Sequence, residues 1–343
     1  MTTLRCGGPA RELVTATTVD TAVSVVSDCD DRREPVLLLG GGSNVVIADD
    51  GFPGTVVRMA TGGVEVTDTD RNGDDSVRLV VAAGETWDRV VARSVDDQLT
   101  GLEFLSGIPG SVGAAPVQNI GAYGAELSSV LETVAAFDRR DRQLVDLGPA
   151  ECGFEYRMSR FKRERGRWLI TQVTLMLRRV TSPDDMAEIT HPDLVNRLGV
   201  AKGERVSPRN IRQAVLMVRR SKGMVLDVAD HDTWSVGSFF LNPVVASDVA
   251  RRLPVDAPYR PVDGGRVRVS AAWLIEASGI EKGWGVREDA AARISTRHSL
   301  ALTNRGGATT ADILELARAV IAAVQERFGI TLEPEPNLVG CSL

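Results

Sequence analysis

Three short segments combine polar side chains with apolar or aromatic neighbours, and each of them could do chemistry. They are residues 154–162, 237–243 and 332–336. Arg157 stands among aromatic residues in the first, and a guanidinium can hold a carboxylate through paired hydrogen bonds. Ser238 precedes two phenylalanines in the second, and Glu335 lies between two prolines in the third. Taken singly, these residues could equally be a surface ion-pair partner, a turn or cap residue and a solvated acid.

Ser238 also raises the possibility of a hydrolase nucleophile. Such a serine needs a basic partner, and His231 is close in sequence. Residues 237–240 read Gly-Ser-Phe-Phe, however, and this is not the G-x-S-x-G elbow of that class. The sequence therefore disfavours a hydrolase.

A glycine cluster follows the apolar run at 36–39, as in a dinucleotide-binding fold. Residues 40–44 read Gly-Gly-Gly-Ser-Asn, but Val45 stands where that fold has its third glycine. Residues 45–48 do not begin a helix, and the dinucleotide motif needs a helix N-terminus under the pyrophosphate. Two interpretations remain open: a structural turn, or an anion-binding nest of backbone N–H groups.

A second stretch, residues 107–124, is rich in glycine and poor in bulky side chains. It cannot form a core of its own, so either it folds under neighbouring helices or a large flat molecule packs against its backbone. A cofactor is one such molecule.

Together the two stretches resemble the cofactor-binding segments of the UDP-N-acetylenolpyruvoylglucosamine reductase family. Residues 109–113 read Pro-Gly-Ser-Val-Gly and residues 118–124 read Gln-Asn-Ile-Gly-Ala-Tyr-Gly, which is similar to the type I branch. The resemblance extends from residue 3 to residue 340. It implies an α+β fold of three domains. Residues 1–61 and 62–222 would be two FAD-binding subdomains of the vanillyl-alcohol-oxidase type. Residues 223–343 would be an α/β substrate-binding domain, with about 332–343 returning to the active site.

The resemblance also implies roles for individual residues. Binding of FAD would fall to Gly40, Gly41, Gly42, Ser43, Asn44, Ile108, Pro109, Gly110, Ser111, Gly113, Asn119, Gly121 and Ala122. The substrate would contact Lys222, Asn242, Tyr259, Arg268 and Lys282. Arg157, Ser238 and Glu335 would be the catalytic residues.

The implied reaction passes a hydride from NADPH to FAD and then to an enolpyruvyl group on a UDP-sugar. Arg157 would hold the carboxylate and stabilise the enolate that forms. Ser238 would protonate the adjacent carbon, and Glu335 would orient the reacting end. Two alternatives stay open: another flavin oxidase or dehydrogenase on the same fold, and a UDP-sugar-binding protein without catalysis. The residues themselves do not distinguish NADPH from NADH.

The chain departs from the family pattern at several positions. Leu241 stands where a lysine is common, and Arg268 replaces a lysine while keeping the charge. The nearest match to a substrate-gating tyrosine is His191, and the link from Lys222 to Ser238 is longer than in the members compared. These changes leave the nucleotide contacts and the gate undecided.

Composition excludes several other classes. At roughly 150 residues per domain, 343 residues predict two or three domains, which the resemblance narrows to three. With 46 acidic and 40 basic residues the net charge is −6, which disfavours general affinity for nucleic acid or membranes. We expect a cytoplasmic protein that needs no oligomer. Four scattered cysteines and three histidines predict no metal site, and each cysteine is interpreted as a small hydrophobe.

Helical and strand patterns must position these residues. Helices are predicted at 19–27, 87–98, 271–278 and 311–328, and another opens at Ser207-Pro208 and ends before Gly223, at a plausible domain junction. Strands are predicted at 36–39, 55–59, 64–66, 77–81 and 168–177. Residues 67–75 resemble an acidic hairpin turn.

Overall fold

The computed structural model describes residues 2–68 and 75–343, so most of the predicted hairpin turn lies outside the described residues. The chain forms two compact units. Unit 1 contains Met1–Pro9, Gly42–Phe52 and Lys222–Leu343, and unit 2 contains Ala10–Gly41 and Pro53–Ser221. One division therefore falls after the helix that ends at Ser221, where the sequence suggests a junction. Contacts do not separate the early part of unit 2 from the rest, so the three-domain boundaries at 61 and 222 stay a prediction.

Helices occur in both units. They are α1 (Val19–Asp31), α2 (Trp87–Asp96), α3 (Pro149–Cys152), α4 (Arg160–Arg163), α5 (Pro192–Leu198), α6 (Pro208–Ser221), α7 (Ser247–Ala250), α8 (Ala271–Ala277) and α9 (Thr310–Phe328). The helices predicted from periodicity are confirmed. Helix α6 buries Ile211, Val215 and Val218 along one face as expected, and α9 ends at Gly329, whose φ of 68° suits glycine.

The longest strand is β12, and most of the others are short. They are β1 (Ala10–Ala16), β2 (Val36–Leu39), β3 (Val45–Ile47), β4 (Phe52–Met59), β5 (Val64–Asp68), β6 (Ser76–Ala82), β7 (Leu99–Thr100), β8 (Gly121–Ala122), β9 (Ala125–Glu126), β10 (Leu131–Asp138), β11 (Gln143–Leu147), β12 (Trp168–Arg179), β13 (Ala187–Glu188), β14 (Arg205–Val206), β15 (Val244–Ala246), β16 (Tyr259–Val262), β17 (Arg266–Val269), β18 (Ala292–Ile294), β19 (Leu302–Asn304) and β20 (Asn337–Val339). The mixture confirms the α+β class.

The two larger sheets of unit 2 share a common core. One has the order β1-β4-β2, with β2 and β4 parallel, and the other has the order β11-β10-β12-β6-β5, with β7 joined to β12. Trp87 of α2, Leu79 of β6 and Leu175 of β12 are fully buried between these elements. This core supports the glycine-rich stretch at 107–124, because Val112 and Ala115 are part of it.

Unit 1 is built from short pairs of strands around α8 and α9. The strand order is β15-β17-β16 in one sheet, while β18 pairs with β19 and β20 pairs in parallel with β3. Phe239, Phe240 and the inner face of α9 form the centre of its core. The two phenylalanines that follow Ser238, and Leu332 shortly before Glu335, are thus anchored by burial.

Asp138, at the end of β10, forms a nearly buried ion pair with Arg167. The guanidinium donates to both carboxylate oxygens at 2.6 and 2.9 Å, and this pairing lowers the pKa of Asp138 to about 2. A lowered pKa means that the stabilisation is complete above the ordinary pKa near 4 and is lost as the pH falls toward 2.

We therefore expect Asp138→Asn to lower the melting temperature by about 2–4 °C at pH 7, in line with a contribution of about 1 kcal/mol. The difference from the wild type should shrink as the pH falls from 4 to 2. Thermal unfolding followed by circular dichroism across this range measures it. Asp146→Asn on the exposed side of β11 is the control and should leave the melting temperature at pH 7 and its change with pH as in the wild type. A difference that is constant down to pH 2 would contradict the assignment.

Membrane-spanning helices, metal ligands and cysteines bear on the other classes considered from the sequence. In the ranges 2–68 and 75–343, no helix is long and apolar enough to cross a membrane, and no group of three or more potential ligands could hold a metal ion. The four cysteines are free thiols, with Cys29 and Cys152 buried and Cys6 and Cys341 half-buried. Burial raises the pKa of the Cys152 thiol to about 12, which fits a packing role.

Candidate functional site

Gly40 and Gly41 of the first glycine-rich segment lie against the second segment within unit 2, whereas residues 42–44 belong to unit 1. A Cβ atom at Gly41 would lie 2.7 Å from Gly110 Cα, and one at Gly40 would overlap Ser111 Oγ. The two backbones are therefore in direct contact, and side chains at these glycines would force them apart. After the first segment the chain enters β3, a strand, which confirms that no dinucleotide-binding helix follows it.

Asn119 fixes the shape of the second segment. Its backbone has a left-handed φ of 44°, and its side chain is 1% exposed. The amide nitrogen donates to Glu126 Oε2 at 2.9 Å and to the Glu155 carbonyl at 3.3 Å, while the amide oxygen accepts from the Ser128 N–H at 3.0 Å. The side chain is thus engaged by the protein itself. A direct role of Asn119 in cofactor binding stays a prediction.

The Arg157 side chain contacts this second segment. Its guanidinium donates to the carbonyl of Gly121 at 2.5 Å and to that of Asn119 at 3.4 Å, and it lies 5.4 Å from the centre of the Tyr156 ring. The structure therefore brings the predicted catalytic arginine to the second glycine segment. The nearly buried Lys162 donates to the Arg157 carbonyl at 3.3 Å. Sequence reasoning missed this lysine, although its place in an aromatic run was a usable signal.

Ser238 and Glu335 are brought together in unit 1 by backbone pairing. Phe240 and Pro334 face each other in an antiparallel bridge, and the Glu335 N–H donates to the Phe239 carbonyl at 2.8 Å. Ser238 lies one residue before this contact, while both phenylalanines are fully buried. The aromatic pair thus anchors the serine beside the acidic segment, as the combined motifs suggest.

The predicted substrate residues are only partly grouped. The Asn242 side chain accepts the first backbone N–H of α8 at 2.9 Å, and Arg268 lies opposite Val244 in the neighbouring pair of strands. Tyr259 lies opposite Val269 on the other edge of the same sheet. Because neighbouring residues alternate between faces, Tyr259 and Arg268 belong to opposite faces of this sheet. The register groups Asn242 with Arg268 more closely than with Tyr259.

The remaining candidates are less informative. Lys222 is the first residue of the third part of unit 1, directly after α6, and Lys282 lies 4.0 Å from Glu276 with both side chains about half exposed. Arg157 belongs to unit 2, whereas Ser238 and Glu335 belong to unit 1. The predicted catalytic residues thus form two sets, each ordered within its own unit.

Comparison with known proteins decides the family. A protein named UDP-N-acetylenolpyruvoylglucosamine reductase from Cutibacterium acnes is 48% identical over 343 residues, covering 100% of this chain and 89% of its own. A protein of the same name from Streptomyces avermitilis is 47% identical over 100% of this chain and 93% of its own. The chain belongs to the UDP-N-acetylenolpyruvoylglucosamine reductase family.

Matches to domain families and solved structures agree with membership in this reductase family. Residues 10–145 match a family described as "FAD binding domain", and residues 229–339 match the family's C-terminal domain. The crystal structure of a UDP-N-acetylenolpyruvylglucosamine reductase from Thermus caldophilus is 27% identical, with a TM-score of 0.65 over 98% of this chain and 95% of that one. The resemblance and the α+β fold inferred from the motifs are confirmed.

His191, the candidate for the gating position of the reductase family, has a structural partner. Its Nδ1 accepts the Asp193 N–H at 3.2 Å and thereby caps α5, and its ring meets that of Tyr123 edge-on at 5.1 Å. Because Nδ1 is the acceptor, the imidazole carries no proton on that nitrogen. Burial raises the pKa of Tyr123, so the phenol beside His191 stays protonated at ordinary pH. Whether His191 closes over substrate stays a prediction.

The link between Lys222 and Ser238 contains a buried carboxylate that sequence reasoning missed. Asp232, 4% exposed, accepts hydrogen bonds from Arg297 at 2.9 Å and Arg305 at 2.5 Å, and from Ser295 and Thr296. Burial alone would raise the pKa of Asp232, but these donors lower it to about 2. The ring of the adjacent His231, the candidate basic partner of Ser238, packs against that of Trp234, with the ring centres 4.1 Å apart.

Proposed function

We propose that the protein is an FAD-containing reductase that uses NADPH to convert UDP-N-acetylglucosamine enolpyruvate to UDP-N-acetylmuramate. Peptidoglycan precursor synthesis in the cytoplasm is the process to which this reaction belongs. The observation that carries the proposal is the 48% identity, across the whole chain, to a reductase of this name. The arrangement of glycine, arginine, serine and glutamate residues gives it a chemical basis.

The two glycine segments fit FAD. Residues 107–113 of the second segment present backbone, a single hydroxyl and no charged side chain. A flat ring system can pack closely against such a surface. Residues 40–44 would take the pyrophosphate through backbone N–H groups, Ser43 and Asn44. When bound, FAD would accept hydride from NADPH and deliver it to the substrate. Choice of NADPH over NADH rests on membership in the reductase family.

Arg157 would recognise the carboxylate of the enolpyruvyl group. Hydride addition to the double bond leaves negative charge beside that carboxylate, and a guanidinium fixed near it stabilises the developing enolate. The hydrogen bonds from Arg157 to the carbonyls of Gly121 and Asn119 support this role, since they hold the cation in one orientation. A pre-oriented charge loses little free energy through reorganisation during the reaction.

Ser238 would supply the proton that completes the reduction. The carbon next to the carboxylate gains this proton from the hydroxyl, and solvent returns a proton to the serine. A hydroxyl is a weak acid, but the carbanion-like carbon is a strong base, so the transfer is favourable. Glu335, which follows the residue paired with Phe240, would orient the same end of the substrate.

The UDP pyrophosphate would be met by placed cations, since the overall charge of −6 does not attract it. Lys222, Arg268 and Lys282 are the proposed contacts, with Asn242 and Tyr259 supplying hydrogen bonds or stacking. The opposite faces of Tyr259 and Arg268 favour contacts with different parts of the nucleotide.

The test is a substrate-dependent assay on the purified full chain. We expect a yellow protein with the absorption bands of bound flavin, and NADPH oxidation that occurs only when the enolpyruvyl UDP-sugar is present. NADPH oxidation with oxygen alone would favour a different flavin oxidase on the same fold. Binding of the UDP-sugar by a protein that cannot be reconstituted with FAD would favour a non-catalytic binding protein. Either of these outcomes would overturn the proposal.

A further inference from the structure

The first turn of α2 holds the second glycine segment at several points. The Trp87 N–H donates to the Gly110 carbonyl at 3.0 Å, and its indole N–H donates to the Leu105 carbonyl at 3.0 Å. Just before the helix, the Glu85 carbonyl accepts the Val112 N–H at 2.9 Å. These contacts clamp both ends of residues 105–112 to one rigid element.

Asp88 adds the one charged contact among them. Its Oδ1 accepts the Gly107 N–H at 2.6 Å. The same carboxylate is gripped by Arg212 of α6, whose guanidinium donates to Oδ1 at 2.6 Å and to Oδ2 at 3.0 Å. Burial would raise the pKa of Asp88, but Arg212 and the Gly107 N–H lower it, so the carboxylate is ionised at neutral pH.

The position of this contact along the loop is informative. Gly107 has a φ of 71° and Gly110 a φ of 124°, so the loop turns at both glycines. The Asp88 carboxylate holds the first turn by accepting the Gly107 N–H. The Trp87 N–H holds the second turn by donating to the Gly110 carbonyl. Residues 108–111, which follow the first turn, include Gly110 and Ser111, which contact the first glycine segment. A shift at Gly107 would therefore move the surface proposed to receive the flavin.

We propose that Asp88, oriented by Arg212, is a positioning residue for FAD. It acts by fixing the Gly107 amide, so that residues 108–111 keep the shape that the flavin needs, and it touches neither flavin nor substrate. This inference rests on the proposed function, because it assumes that FAD occupies the glycine segments. The competing explanation is an ion pair that joins α2 to α6 and contributes stability alone.

The chain offers a matched control for that competing explanation. Asp96 and Arg209 form an ion pair at 3.5 Å between the same two helices, with both side chains about 70% exposed. That pair lies at the C-terminal end of α2, whereas Asp88 lies in the first turn, and it does not involve Asp88. Asp96→Ala therefore removes an α2–α6 ion pair while leaving the Gly107 contact intact.

The experiment measures FAD affinity of the full chain. Asp88→Ala, Asp88→Asn, Arg212→Gln and Asp96→Ala proteins are freed of flavin, and their dissociation constants for FAD are determined from quenching of flavin fluorescence. Asp88→Ala should weaken FAD binding by about tenfold to a hundredfold, the range expected for a lost hydrogen bond to a charged group. Asp88→Asn keeps an acceptor for Gly107 and should lose less. Arg212→Gln should fall between the wild type and Asp88→Ala.

Two further readouts separate positioning from stability. At saturating FAD, the visible circular dichroism of the flavin should change in Asp88→Ala. The melting temperature of flavin-free Asp88→Ala is compared with that of flavin-free Asp96→Ala. The inference would be overturned if both Asp88 variants had a dissociation constant for FAD within twofold of the wild type and an unchanged flavin circular dichroism spectrum. That outcome would leave the proposed function intact. A wild-type protein that binds no FAD would overturn both.

Discussion

Replacing Ser238 with alanine is expected to slow reoxidation of the reduced flavin by the enolpyruvyl substrate by about 10²- to 10⁴-fold, the usual contribution of a positioned general acid. Reduction of the flavin by NADPH should stay close to the wild-type rate, because that step needs no proton from the serine. Stopped-flow measurement of flavin absorbance resolves the two half-reactions. The difference between them is the informative quantity.

The structure makes this variant interpretable. Ser238 is followed by two fully buried phenylalanines and a backbone bridge to Pro334, so loss of one hydroxyl should not displace the segment. Ser235→Ala serves as the control, since its hydroxyl accepts the Gly237 N–H at 3.1 Å and it acts on the backbone alone. This control should change both half-reactions by similar, small factors. Equal slowing of both half-reactions by Ser238→Ala in a folded protein would contradict the proton-donor role.

Replacing Asp232 with alanine is expected to lower the free energy of unfolding by about 2–3 kcal/mol, because its buried donors lose their acceptor while Arg297 and Arg305, each about one third exposed, lose a charged partner. Arg297 and Arg305 would both lose the carboxylate that they share, and Ser295 and Thr296 would lose an acceptor. Urea unfolding followed by tryptophan fluorescence measures the change, and Trp234 reports on the same region.

Asp289→Ala is the matched control. Asp289 also pairs with an arginine, Arg287 at 3.6 Å, but its side chain is 89% exposed. Solvent-exposed pairs contribute at most about 1 kcal/mol, so this variant should unfold almost as the wild type does. A loss below about 1 kcal/mol for Asp232→Ala would mean that the cluster relaxes or takes up water, contrary to the buried network described above.

Local signals in the sequence predicted much of the fold. Helices α6 and α9 were recognisable because their apolar residues recur at helical spacing and glycine or a hydroxyl marks their ends. The absence of a helix after the first glycine segment was also predicted, since residues 45–48 lack the length and pattern of a helix. These features depend on neighbours within a few residues, which the sequence displays directly.

Partners far apart in sequence were not predictable in this way. Asp232 meets Arg297 and Arg305 more than sixty residues later, and Asp88 meets Arg212 on a different helix. Nothing in the local pattern of an acidic residue specifies which distant arginine it will meet. The candidate catalytic residues were found only because several motifs in the family's order supported one another, and their roles still rest on that resemblance.

The discontinuity of unit 1 has a consequence for the order in which the chain is made. Strand β3 lies early in the sequence, yet its parallel partner β20 follows almost all other described elements. During synthesis, β3 therefore leaves the ribosome long before the strand that completes its backbone hydrogen bonds. Parallel pairing over such a separation closes a very large loop and forms slowly. Until then the exposed strand edge is available to other chains, so nascent protein is at greatest risk of aggregation before β20 is translated.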